Sequence, residues 1–397
     1  MANLGCGIGT ACYFGRIHQR LQITGLGALS ALGTDLPSHM QAVRGRQVPF
    51  RPLAELLGKA SPHAHRPGAW IEPRGLLTHR KWSPVTMAAL RVAREAIQAA
   101  GWGAAELRDA ALVVGTSRGN AAGWLGPWPG RRPFRLMAAS NTIHSEPAAA
   151  ISIEFGMCGP NQVLASGCAA GLDAVGVAWL LIQSGMAPRA LAVAVDLPLV
   201  PLLLDNYAQS GLLAESFGLD PYHPTSAGFV PGEGAAAMAL EPAVIGDAGG
   251  VEMSHYGCNA DACDPVGIPA DGGRTPELLQ AVVARGLLPV ALCPHATGTA
   301  VQAIADPAAF RRAFCEGLPT LHLLKPYLGH TIGASGLLES VLLVRFMQDG
   351  RLPPNLPGLH APPGFLLPER ELELLGTVGK LAHGMGGHNA LVIFGQL

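Results

Sequence analysis

The chain has 397 residues, of which 49% are hydrophobic and only 14% charged; that is more apolar mass than a small domain can bury, which excludes a disordered or fibrous chain and implies a large globular body. A formal net charge of -1 exerts no strong pull on nucleic acid or an anionic membrane, so a charged partner must meet a local patch. The eight cysteines lack the framework of a small secreted protein, which implies reduced thiols, no structural disulfide and a cytoplasmic setting.

Residues 1–20 read as a tail of uncertain order, in which Arg16 and Arg20 follow a short, weakly apolar stretch, the wrong order for a secretory signal. Leu21 to Ala28 reads as a strand. From Arg44 to Trp82 the chain carries Arg44, Arg46, Arg51, Lys59, Arg66, Arg74, Arg80 and Lys81 against only Glu55 and Glu72. An irregular surface excursion is expected there, either a solvated loop or a docking patch for an acidic partner. Ser83 then caps a helix that has Pro84 at its first position, runs through Ala88, Leu90, Val92 and Ala96, and stops at Gly101. Buried strands are expected at Ala111–Gly115, Gln162–Ala165, Leu191–Val195, Val290–Cys293, His322–Leu324 and Leu391–Phe394, with helices between most of them. This alternation is that of an α/β protein. The longest apolar run, 187–204, is broken by Arg189, Asp196 and prolines, so no membrane span is expected.

Two segments align without a gap: 171–185 and 336–350 both begin Gly-Leu and end Gln-x-Gly. Each reads as a buried helix closed by a left-handed glycine, and a glycine-rich turn precedes each. The first turn, Ser166-Gly-Cys-Ala-Ala-Gly171, holds Cys168 at a helix start, where unpaired N–H groups favour thiolate and small neighbours leave the sulfur approachable. Taken alone, Cys168 fits an inert thiol as well as a nucleophile. Cys6, Cys12, Cys158, Cys293 and Cys315 have no such setting and are expected as small buried hydrophobes. The duplication implies two pseudo-symmetric halves with a site where the two helix starts meet.

Two histidines follow candidate strands directly, the position where α/β sheets place their sites: His295 in Pro-His-Ala-Thr-Gly-Thr, and His330 in Lys-Pro-Tyr-Leu-Gly-His-Thr-Ile-Gly-Ala-Ser-Gly. Lys325 precedes His330, and Glu339 lies on the helix behind it. A thiol, two imidazoles and an ammonium suit acyl chemistry. Cys258, Cys263 and the Cys293/His295 pair lack the spacing of a zinc site, and no metal is expected.

These motifs, together with Gly228-Phe-Val-Pro-Gly-Glu-Gly234 and Gly384-Met-Gly-Gly-His-Asn389, resemble those of the β-ketoacyl synthases, condensing enzymes of the thiolase superfamily, over nearly the whole chain. The resemblance implies a thiolase-like layered αβαβα fold, with an N-terminal half, 21–243, carrying the nucleophile and a C-terminal half, 244–397, carrying the catalytic histidines. It implies that Cys168 accepts an acyl group from an acyl carrier protein, with the oxyanion held by the N–H groups of Cys168 and Met385. A malonyl group on the carrier's phosphopantetheine then loses CO₂. His295 and His330 donate to the enolate oxygen, Lys325 paired with Glu339 sets the field, and Thr297, Thr299, His383 and Met385 line the substrate path. No cofactor is implied. The expected partners are the carrier protein, docked on Arg80 and Lys81 or on Arg131, Arg132 and Arg135, and a second chain in a homodimer or heterodimer.

The match departs from the family pattern in places. The aspartate usual soon after the His-x-Thr-Gly-Thr run is absent or displaced to Asp306, which leaves the anchoring of that loop open. His383 and Met385 stand where phenylalanines flank the terminal glycine loop, Asp264 stands where a histidine is common, and 221–226 lacks an expected Asp and Arg. Two alternatives follow: a non-condensing chain-length or initiation partner of a synthase, and an acyltransferase that uses Cys168 without decarboxylation. Retention of the nucleophile argues against the first, and the second histidine against the other.

Overall fold

Among the described residues ten strands join in one sheet: β1 (Leu21–Ser30), β2 (Ala111–Gly115), β3 (Asn161–Leu164), β4 (Ala190–Asp196), β5 (Gly234–Pro242), β6 (Val251–Ala260), β7 (Pro289–Cys293), β8 (Thr320–Leu321), β9 (Thr377–Gly384) and β10 (His388–Gln396). The computed structural model describes residues 19–125, 142–243, 250–314 and 317–397; Cys6, Cys12, Arg16, Arg131, Arg132, Arg135 and Cys315 lie outside the described residues.

The spatial order is β1-β5-β4-β2-β3 in one half of the sheet and β6-β10-β9-β7-β8 in the other. Ranked by sequence within each half, both read 1-5-4-2-3. Directions repeat as well: β5 lies antiparallel to β1 and β4, as β10 does to β6 and β9, and the outer pairs are parallel. The halves meet where β1 pairs with β6 at Gln22 and Glu252.

Five helices matter for the site: α1 (Pro84–Ala100), α2 (Glu146–Phe155), α3 (Ala170–Gln183), α4 (Ala300–Ala313) and α5 (Ser335–Gln348). Helix α1 has the expected Ser83 cap, Pro84 start and left-handed Gly101 stop, and it lies on β1, β5 and β4. Helices α3 and α5 are the aligned segments. They run 170–183 and 335–348, a constant offset of 165, and each follows a 3-10 turn at the same offset, Gly167–Ala169 and Ile332–Ala334. Both are apolar on nearly every side because they form the central layer, packed on each other and on strands of both halves, where most of their surface is kept from water. Their shared first glycines explain the shared Gly-Leu start. A Cβ on Gly171 would lie 2.7 Å from Gly333 O, and one on Gly336 would lie 2.9 Å from Leu172 Cβ, so the helices cross there at backbone contact.

Some expectations need correction. Asn161–Leu164 is the exposed edge of the sheet, not a buried strand. The strand expected at His322–Leu324 is Thr320–Leu321; His322 N still donates to Leu292 O at 3.0 Å, but the chain then turns into the helical segment Lys325–Leu328. Cys158 is exposed, whereas Cys293 is buried as expected. The segment 44–82 is not only a surface excursion, because Leu53, Ala69, Trp70 and Ile71 are buried, Ala69 bonds to Pro231 and Glu233, and Arg74 pairs with Glu233. Among the described residues no helix is long and apolar enough to cross a membrane.

Candidate active site

Cys168 sits in the 3-10 turn that leads into α3, after Gly167 at φ 62. The equivalent turn of the second half repeats this left-handed step at Ile332, φ 49, a conformation a β-branched residue adopts only when its surroundings impose it. The imposing group is Asp196, at the end of β4. Its carboxylate accepts from Thr116 Oγ1 at 3.0 Å, Ser117 N at 2.8 Å and Arg118 N at 2.9 Å, and from Gly333 N of the other half at 2.8 Å. One buried carboxylate thereby ties the second turn against the first.

The Gly228–Gly234 motif serves to hold His330: His330 N donates to Val230 O at 2.7 Å, and Gly232 N donates to His330 O at 3.0 Å. The ring is thereby set with Nε2 3.2 Å from Cys168 Sγ and Nδ1 3.0 Å from Ser335 Oγ, which itself accepts Thr331 N. His295 follows β7 and lies edge to face with His330, ring centroids 5.4 Å apart. Its loop is anchored after all: the displaced Asp306 accepts Ala296 N at 3.2 Å and Tyr222 OH at 3.1 Å, and Ser226 Oγ donates to Gly298 O at 2.7 Å.

Lys325 does pair with Glu339, at 2.7 Å, but Glu339 is shared with Lys380, also at 2.7 Å. All three are buried, so two ammoniums face one carboxylate. Burial opposes the Glu339 charge, yet Lys325 and Lys380 hold its carboxyl below the usual range. Burial first, then the Lys325 charge, depresses both His295 and His330 well below the ordinary histidine value. Both imidazoles are therefore neutral, each with one N–H to donate. The thiol departs from expectation. Burial pushes Cys168 up to about 12, Asp196 adds to the rise, and Lys325 and Arg118 oppose it, so the helix start does not yield a resting thiolate.

A cavity of about 90 Å³ is lined by Cys168, His295, His330, Thr297, Thr299, His383 and Met385, together with Leu212, Phe229, Val266, Ile268, Gln302 and Gly384. The structure thus brings together every expected substrate-facing side chain, with Lys325 and Glu339 behind them. Ideal Cβ atoms on Gly167 and Gly384 would lie 3.5 Å from Met385 N and 3.6 Å from Cys168 N, so both expected oxyanion donors share one end of the cavity. Arg80 and Lys81 are exposed just before the α1 cap. A larger groove of about 820 Å³ between residues 213–228 and 356–359 touches none of Cys168, His295 and His330.

Lys380, Asp196, Ser335 and Phe229 were missed at the level of sequence. Lys380 had a readable signal, a lone charge within the otherwise uncharged strand Thr377–Gly384, which burial obliges to find a partner.

Residues 70–244 match the family described as Beta-ketoacyl synthase, N-terminal domain, and residues 252–358 match Beta-ketoacyl synthase, C-terminal domain. The chain is 24% identical to 3-oxoacyl-[acyl-carrier-protein] synthase 2 of Staphylococcus aureus (strain COL), over 95% of this chain and 98% of that protein. It is 26% identical to the enzyme of the same name from Mycobacterium leprae, over 67% and 68%. Among solved structures, a type II polyketide synthase acyl-carrier protein in complex with its ketosynthase bound to the hexaketide aligns at TM-score 0.83 and 21% identity, covering 96% of this chain and 99% of that one. The ishigamide ketosynthase/chain length factor aligns at TM-score 0.82 and 22% identity, covering 96% and 100%. The two halves of the sheet, the thiol turn and the paired histidines agree with these likenesses: the fold is thiolase-like, and the chain belongs to the β-ketoacyl synthase family.

Proposed function

We propose that this β-ketoacyl synthase condenses acyl and malonyl groups delivered on the phosphopantetheine of an acyl carrier protein, and that Cys168, His295 and His330 carry the reaction. The observation that carries the assignment of residues is Cys168 Sγ, 3.2 Å from His330 Nε2, in a cavity that His295 also lines.

In the acyl-transfer step the Cys168 proton passes to His330 Nε2 while Nδ1–H donates to Ser335. The oxyanion sits against the N–H groups of Cys168 and Met385. The proton then leaves with the carrier thiol. With Ser335 donating instead to Nδ1, His330 returns to the tautomer that presents Nε2–H, and with His295 it donates to the enolate oxygen formed as malonyl loses CO₂. The enolate attacks the acyl-Cys168 carbonyl and lengthens the chain by two carbons. Thr297 and Thr299, their hydroxyls 3.2 Å apart, and His383 and Met385 guide the substrate arm. Burial, reinforced by the Lys325 and Lys380 charges, keeps both imidazoles neutral. The chemistry calls on no metal or redox cofactor.

A chain-length partner needs no thiol set against an imidazole, and a simple acyltransferase needs no second donor on an enolate oxygen. Intact-mass analysis is expected to find an acyl adduct that vanishes in Cys168→Ala, and a malonyl-carrier assay to find a β-ketoacyl product. A protein that takes the acyl group yet never releases CO₂ would overturn the condensing role.

We further propose a dimer through the open edge strand β3, flanked by exposed Ile153 of α2, Leu180 of α3 and Met186, with either a second copy or another ketosynthase-like chain. The acidic carrier would be steered by Arg80 and Lys81. The free thiols of Cys158, Cys258 and Cys263 favour a cytoplasmic setting. The two halves divide after residue 243.

A further inference from the structure

Condensation consumes a proton. The extender carboxylate leaves as CO₂, the enolate carbon bonds to the acyl carbon, and the C–S bond breaks with both electrons going to Sγ. Restoring the thiol then takes one H⁺ per turnover, whereas acyl transfer onto Cys168 takes none, because the proton lost by Sγ leaves with the carrier thiol. The proton must be delivered while substrate fills the cavity. Neither imidazole beside the reaction holds a spare one, since both are neutral.

The unexplained groups of the site lie one step further in. His295 Nδ1 and His383 Nε2 are both buried and have no hydrogen-bond partner among the described residues, and their rings stand 5.5 Å apart, edge to face. His383 Nδ1 lies 2.6 Å from Asn389 Oδ1. The orientation of that amide is set, because Asn389 Nδ2 donates to Asn259 Oδ1 at 3.1 Å and Asp261 Oδ1 at 2.9 Å. His383 Nδ1 is therefore the donor, and Nε2 is the nitrogen free to gain or lose a proton. It lies 3.7 Å from Asp306 Oδ1. A cavity of about 10 Å³ adjoins His383, Asp306 and Gln302, about the room one water molecule needs.

We propose that His383 and Asp306 form a proton store for the condensation step, acting through His295; this rests on the condensing reading above. His383 takes a proton at Nε2 while the channel is open to solvent, and the Asp306 carboxylate holds the imidazolium. When Sγ is released as thiolate, the His383 Nε2–H bond breaks and His295 Nδ1–H forms. His295 Nε2–H then breaks, and that proton reaches Sγ directly or by way of His330. Between turnovers a solvent proton adds at His295 Nε2 and the Nδ1 proton returns to His383, which restores both rings. The groups that face this store are Asp306 from α4, Asp261 behind Asn389, and His295 with Lys325 and Lys380 behind it.

The test compares acyl transfer, followed by intact mass, with single-turnover condensation on malonyl-carrier protein, across pH and in H₂O against D₂O. In the wild type the ratio of condensation to acylation is expected to fall as pH rises, with a solvent isotope effect confined to condensation. His383→Gln, which bonds but does not titrate, is expected to slow condensation at least about 10-fold more than it slows acylation, with a ratio of the two that no longer depends on pH. A pH-independent ratio in the wild type overturns the proposal even if the variant fails to fold, and so does a variant in which both steps fall together or neither changes. A wild type that makes no β-ketoacyl product overturns the condensing assignment itself, which is a different result.

Discussion

The turns at Cys168 and at Gly333 are one structure used twice. Ser166 and Thr331, at φ -85 and φ -87, enter the two turns alike; Gly167 and Ile332 make the same left-handed step, and the helices that follow end alike at Gly185 and Gly350. The contents differ. The first turn presents a thiol to the cavity. The second has glycine at that place, because a Cβ on Gly333 would lie 2.6 Å from Ser117 N and would also meet the Asp196 carboxylate. The repeat thus supplies two equivalent positions, of which one holds the nucleophile and the other is kept bare so that the halves can close. The histidine of the second half stands three residues before the bare position, where its Nε2 reaches back to the sulfur of the first.

The largest effect is expected from exchanging these contents. Cys168→Ala should lower condensation by at least about 10³-fold and abolish the acyl adduct. Gly333→Cys, which writes the nucleophile into the second turn, should give no adduct there and should unfold more readily in a urea titration. An acylated Cys at position 333 in a stable protein would show the two turns to be interchangeable.

The charge cluster lies behind the second turn only, and it gives the next effect. In Glu339→Gln the ammoniums of Lys325 and Lys380 lose their shared carboxylate in a fully buried site. A loss of about 3–5 kcal/mol in unfolding free energy is expected, with decarboxylation falling alongside. An unchanged midpoint would mean that water reaches the lysines.

The helix crossing tests whether the halves are mechanically equivalent. Gly171→Ala and Gly336→Ala each push a Cβ into the opposite helix start, and each should cost about 1–3 kcal/mol, by similar amounts. A large cost for one and none for the other would place the contact under the control of one half.

Much of this was legible before any coordinates. The Ser83-Pro84 start and Gly101 stop of α1 depend on local backbone chemistry, and the repeat that makes α3 and α5 was visible because both glycines of the crossing are obligatory. Cys168, His295 and His330 could be picked out because small residues surround each. What stayed hidden depends on distant partners. Asp196 reads in sequence only as a break within an apolar run and is in fact the link between halves; Lys380 has no partner near in sequence; and the resting thiol at Cys168 reflects burial, which outweighs a local helix start. Edge strand β3 was read as buried because its apolar residues are the same whether a partner or the core covers them.

The smallest effect concerns the back of the first turn, for which the second half has no counterpart. Asp173 of α3 accepts from Ser166 Oγ, from Tyr256 OH at 2.8 Å and from His388 Nε2 at 2.7 Å, joining the nucleophile turn to the start of β10. The hydrogen bond to Asp173 raises the His388 pKa above its ordinary value, against partial burial. A raised folded value means that its contribution is fully present below the unfolded value, about 6.5, and is lost as pH rises through the folded one. Buried His39, His295, His322 and His330, all lowered by burial, pull the other way, because they favour unfolding as pH falls below that same value. The net pH profile therefore cannot isolate His388, but the difference between wild type and His388→Asn can. That difference should be on the order of 1 kcal/mol or less in slightly acidic solution and shrink as pH rises. A difference that grew with pH instead would mean that His388 is held neutral, with Asp173 serving only as its acceptor.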